Sequence, residues 1–116
     1  MSAKFHLDVI EAEEAHEPFT FDSEGIEWRV PHPRDLNMGQ IIALDNGMAG
    51  DVRSAVLAVQ DVAERFDPES GEWVKDPVQA AAMLLGKRPR AVGQLLAAWA
   101  AHARLQPGES RASSPS

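Results

Sequence analysis

Between Pro18 and Val30 the chain alternates apolar with polar residues on both sides of a short turn, and two prolines close the alternation. Phe19 and Phe21 interleave with Thr20 and Asp22; Ile26, Trp28 and Val30 interleave with Glu27 and Arg29; Ser23-Glu24-Gly25 lies between. Successive side chains of a strand point to opposite faces, so this period of two specifies a β-hairpin over residues 18–30. Pro31 and Pro33 have no amide to donate and end the pairing. Beyond them the apolar spacing becomes helical. A hairpin ahead of a helical part over residues 33–105 sets an α+β class.

Pro33 suits a first helical turn, and Leu36 to Asp45 reads as a short helix stopped by Asn46-Gly47. Asp51 is placed to cap the next helix, whose Val52, Val56, Val59, Ala63 and Phe66 recur at spacings of three and four. Asp61 and Arg65 stand four apart there with the acid first, the favourable order for a helical ion pair, and Asp67-Pro68 is the expected stop. Pro68 to Lys75 reads as a polar connector. Asp76-Pro77 gives a cap and a first-turn proline for a helix closed by Gly86. Pro89 opens the last helix, with Val92, Leu95, Leu96, Trp99 and Ala103 on one face. Residues 1–13 can form a strand or a marginal helix; Phe5, Leu7 and Val9 alternate with His6 and Asp8, which favours a third strand near the hairpin. Residues 106–116 hold too little apolar surface to order themselves, so the expected organisation is one domain over 1–105 and a disordered tail.

Charge divides the chain in two. Of the formal net charge of −7, all resides in residues 1–27, where eight acids face the single base Lys4; the remaining ten acids and ten bases cancel. Val78 to Leu105 carries Lys87, Arg88, Arg90 and Arg104 with no acid. An acidic head and a basic helical end are expected to attract, within one molecule or between neighbours. Glu11, Glu13, Glu14 and Glu17 on one side, and Lys87, Arg88 and Arg90 on the other, are the candidate electrostatic contacts.

Little in the chain suggests chemistry. It has no cysteine, which removes disulfides, thiolate nucleophiles and cysteine-ligated zinc together. His6, His16, His32 and His102 are not paired at ligand spacing, so no metal or other cofactor is expected. Carboxylate pairs such as Glu13-Glu14 lie in charge-rich sequence without a pocket signature, and Gly47-Met-Ala-Gly50 lacks the lysine and spacing of a phosphate loop. The expected work is binding, not catalysis. No apolar run approaches the roughly 18 residues a membrane span needs, and the start carries no signal-like stretch, so no membrane association and an intracellular location are expected. Leu95, Trp99 and His102 share a helix face and are the candidate border of a groove for a partner helix; self-association would cover any apolar surface left over. A helix-turn-helix on Ala82, Gly86 and Val92 is the alternative. Its second helix, Ala91 to Ala101, offers Gln94 as its one polar side chain, too little to read base edges, so nucleic acid is not an expected partner.

The opening MSAKFHLDVIEAE, the hairpin closing on Val30-Pro31-His32-Pro33-Arg34-Asp35-Leu36, the late Trp99-Ala-Ala-His102 and the end Pro107-Gly108-Glu109-Ser110 resemble the shorter tail assembly chaperone of long-tailed phages (siphoviruses) of actinobacteria. The resemblance covers most of the chain and is strongest at its ends; Asp67 to Lys75, with Trp73, matches no family motif. It implies a protein that acts on the tape measure protein during tail assembly, in the host cytoplasm, and is not expected in the mature virion. It also implies a longer product of ribosomal frameshifting that shares the N-terminal domain. Partners would be the tape measure protein, that longer product and the major tail protein. Pro107-Gly108-Glu109 permits the codons CCG-GGG-GAA, a run on which a ribosome can slip. A structural head–tail component is a further alternative.

Overall fold

The computed structural model describes residues 16–104. The strand expected near Phe5, the tail at 106–116 and the acids Glu11, Glu13 and Glu14 lie outside them.

The expected hairpin forms. Strand β1 (Phe19–Ser23) pairs antiparallel with β2 (Ile26–Val30) from Phe19↔Val30 to Ser23↔Ile26. The turn is therefore two residues long, Glu24 and Gly25, at φ 54° and 80°. Two successive positive φ values match the twist of the strands they join, which is why such turns dominate tight hairpins. Alternation then sorts the residues: Trp28 and Val30 are buried, while Thr20, Asp22 and Glu27 are exposed.

A second hairpin stands where helix and connector were expected. β3 (Glu64–Asp67) pairs with β2 through Trp28↔Arg65 and Arg29↔Glu64, and with β4 (Glu72–Lys75) from Glu64↔Lys75 to Asp67↔Glu72. The result is a four-stranded antiparallel sheet in the order β1-β2-β3-β4. Cross-strand contacts explain why the helical spacing of Ala63 and Phe66 does not prevail. On one sheet face the Phe66 and Trp73 rings meet edge-on at 5.4 Å, the Arg29 guanidinium lies 4.6 Å from the centre of the Trp73 ring, and Arg29 Nε donates to Glu64 at 2.7 Å. Gly71, at φ 72°, lets the chain reverse, and its amide donates to the Asp67 carbonyl at 2.8 Å. Arg65 consequently pairs elsewhere than with Asp61. It donates from Nε to Asp76 at 3.0 Å and ties β3 to the start of the third helix.

Four α-helices fill the rest of the described residues. Pro33–Asp35 makes a 3₁₀ turn, and α1 runs from Met38 to Met48 behind a capping box of Asn37 and Gln40. The helix thus starts later than Leu36 and passes through Asn46-Gly47 instead of stopping there. Gly47 is buried against α2, and a Cβ on it would lie 2.7 Å from the Ala55 Cα, so glycine serves close helix packing here. Reversal happens at Gly50, at φ 110°. α2 (Val52–Gln60) is capped by Asp51 as expected but ends before Asp61. Its buried face is Ala55, Ala58 and Val59. α3 (Pro77–Leu85) matches its expected limits, whereas α4 (Pro89–Ala101) opens at Pro89 as expected but ends before Ala103, which lies in a 3₁₀ turn (His102–Arg104); Leu96 and Trp99 are the buried residues of α4. α2 packs against the other three helices and α1 also packs on α4, while the core joins Trp28 and Val30 of the sheet to Ala80, Leu84, Leu96 and Trp99 of the helices.

Candidate functional site

Four helix ends converge on one apolar cleft. The C-terminus of α1, the first turns of α2 and α4 and the end of α3 enclose about 330 Å³. Small residues set its depth: Gly47 and Ala55 bring two backbones close, Gly93 leaves open space beside α4, and Met48, Val52, Val56, Leu84, Leu85 and Val92 form the walls. Several of these side chains are left open to solvent, with Leu85 70%, Val52 59% and Met48 40% exposed. Exposed aliphatics gathered around a depression differ from singly scattered ones, because together they present area that water leaves at a favourable free energy.

Capping bonds fix the starts of α2 and α3. The Asp51 side chain accepts from the Arg53 and Ser54 amides and from the Ser54 hydroxyl at 2.9 Å, fixing the start of α2. The Ser54 hydroxyl and amide, followed by the Arg53 amide and charge, hold its carboxyl below the ordinary carboxylate range. Asp76 caps α3 by accepting from the Gln79 amide at 3.1 Å. That bond first, and then Arg65, hold its carboxyl low as well. Lys87, the one charged residue lining the cleft, donates to Glu24 of the first hairpin turn at 3.2 Å. That bond is one instance of the acidic head meeting the basic end inside a single molecule.

The other residues singled out in the sequence lie elsewhere. Trp99 is 1% exposed, and its indole N–H donates to the Pro31 carbonyl at 2.8 Å, so it anchors the core and gives a partner no surface. Leu95 is half-buried beside that core. His102 belongs to a cluster of rings at the far end of α4. Its Nε2 sits 3.0 Å from the Glu17 carbonyl, and its ring lies 5.1 Å from His32 and 5.6 Å from Phe19. His16 stacks on His32 at 4.7 Å, while its amide donates to Asp35 at 2.7 Å and its Nδ1 lies 2.9 Å from the same carboxylate. Nδ1 of His32 accepts from the Arg34 amide. These contacts tie the entry of the described chain to the exit of α4, which is a structural role. Among the described residues no group of three or more His, Asp or Glu is arranged to hold a metal ion. No described helix is long and apolar enough to cross a membrane.

Arg88 and Arg90 are exposed at the junction of α3 and α4, next to Lys87. The chain matches no known protein family, curated protein or solved structure. Its fold and cleft therefore rest on their own geometry. The junction departs from helix-turn-helix packing, since Ala82 is exposed and Gly86 sits at φ −84° in a right-handed conformation. Past Arg90 in its first turn, the outward residues of α4 are Ala91, Gln94, Ala97, Ala98 and Ala101, so its exposed side-chain donors and acceptors are confined to Arg90 and Gln94.

Sequence spacing missed the cleft because its walls come from four separate elements. One signal was available: Leu85 is aliphatic yet falls off the face that α3 turns to the core.

Proposed function

We propose that this chain is a binding protein of the tail assembly chaperone type, which holds an apolar helical segment of the phage tape measure protein while the tail is built. The observation that carries this reading is the cleft between the four helix ends, with Leu85, Val52 and Met48 exposed at its walls. Resemblance in the sequence supplies the client. Physical chemistry makes the pairing sensible. A tape measure protein is a very long helical chain whose apolar stripes aggregate until tail subunits enclose them. A small domain that covers such a stripe, and that carries net negative charge, keeps the complex dispersed. An amphipathic helix laid into an apolar groove is a recurrent way to achieve this. No covalent step belongs to the role.

Co-expression tests it. The tape measure protein, insoluble alone, is expected in the soluble fraction and in complex when this chain is supplied. Leu85→Glu or Val52→Glu should abolish the rescue while leaving the chain folded, because both side chains are largely exposed. Reversing Glu11, Glu13, Glu14 and Glu17 to lysine should disrupt co-assembly through the acidic head. A tape measure protein that stays insoluble with the unaltered chain would sink the proposal.

A further inference from the structure

We infer that the cleft selects amphipathic helices whose apolar stripe is flanked by carboxylates, with Lys87 as the selecting residue. This deepens the proposed role and rests on it, since it names the chemistry of the occupant at the same site. The lining is aliphatic and glycine-rich except for Lys87, so any polar preference must come from that ammonium and from charges at the edge. Those edge charges have one sign on the α3–α4 side. Arg88 and Arg90 are exposed beside Lys87, and no acid occurs between Val78 and Leu105. Arg53 is exposed on the first turn of α2, one residue after the lining residue Val52. Two acids beside the cleft are already engaged, while Asp45 is exposed on the α1 side, three residues before the lining residue Met48. Asp51 is taken up by the cap of α2, and Glu24 by Lys87.

The Lys87–Glu24 pair makes the site exchangeable. Glu24 is 68% exposed at the tip of a hairpin turn, where an ion pair is screened and worth little. A carboxylate arriving on a docked helix sits closer to the apolar walls, with less water between the charges, and replaces Glu24 at Nζ. Its gain comes from pairing in a drier setting, while the aliphatic stripe fills the cleft. The partial positive charge of the first turn of α4 acts in the same sense. A helix flanked by lysine would instead meet Lys87, Arg88 and Arg90 and be repelled.

The experiment uses two labelled synthetic helical peptides with one shared leucine–valine stripe, flanked by glutamate in one and by lysine in the other. Fluorescence anisotropy against the full chain should show the glutamate peptide binding about tenfold more tightly at low salt, with the gap narrowing as salt is added. Lys87→Glu should invert the preference, and Leu85→Glu should remove binding of both, with circular dichroism confirming that each variant is folded. Equal binding of the two peptides, or a preference untouched by Lys87→Glu, overturns the inference. So does a dimer that forms through Leu85 and excludes both peptides, because a second copy would then be the occupant. Rescue of the tape measure protein without charge preference would leave the proposed function standing and sink this inference alone. A charge preference without rescue would do the reverse.

Discussion

Glu24 is the one non-glycine residue at positive φ among the described residues, and it sits where a tight hairpin turn favours asparagine. A left-handed conformation costs an ordinary side chain on the order of 1 kcal/mol, more than its exposed pair with Lys87 returns. Glu24→Asn should therefore raise stability by roughly 0.5 kcal/mol, read as a higher midpoint in urea. Gly47 is constrained in the opposite direction. Adding a methyl group puts it 2.7 Å from the Ala55 Cα and 2.9 Å from Leu96, and backbone cannot move aside as a flexible side-chain end can. Gly47→Ala should cost about 1 to 3 kcal/mol and shift the cleft walls, which thermal unfolding and amide spectra of Val52 and Val56 would register. Trp99→Phe keeps most of the ring but strands the Pro31 carbonyl; a loss of about 1 to 3 kcal/mol is expected, with little effect on client capture.

At the level of elements, Asp76 links sheet to helix by capping α3 and receiving Arg65 from β3. Its folded carboxyl lies below the ordinary range, so its stabilisation is present above the unfolded carboxylate pKa and disappears as pH falls through the lower folded value. Asp76→Ala should thus lower stability by about 1 kcal/mol at neutral pH. The gap from the unaltered chain should narrow below about pH 4, as denaturation midpoints across pH would show. Elements with local signals were readable in the sequence. The first hairpin has its alternation and its glycine, α3 and α4 each have a first-turn proline, and α4 also has a one-sided apolar face. Elements fixed by distant partners were not. Glu64 to Lys75 forms a hairpin because Trp73 finds Phe66 and Arg29, residues whose proximity no local spacing encodes. Gly47 carries a stop signal in sequence, yet the approach of α2 determines its use. Val52 and Val56 kept the helical period of a core face, and the rotation of α2 instead turned them to the cleft.

Across the whole molecule, an ion pair and an apolar cleft lie side by side. The hairpin tip and the α3–α4 junction bring acid to base, and the Lys87–Glu24 contact is where they touch. Beside that contact lies the cleft, on a frame held by the core around Trp28, Leu96 and Trp99. We propose that this cleft, and not the end of α4, receives the client. Titrating the chain with a helical fragment of the tape measure protein and following its methyl resonances tests this most directly. Shifts concentrated on Val52, Val56, Leu84, Leu85 and Val92 are the predicted result. Shifts confined to Leu95 and the ring cluster around His102, or no shifts at all, would contradict it.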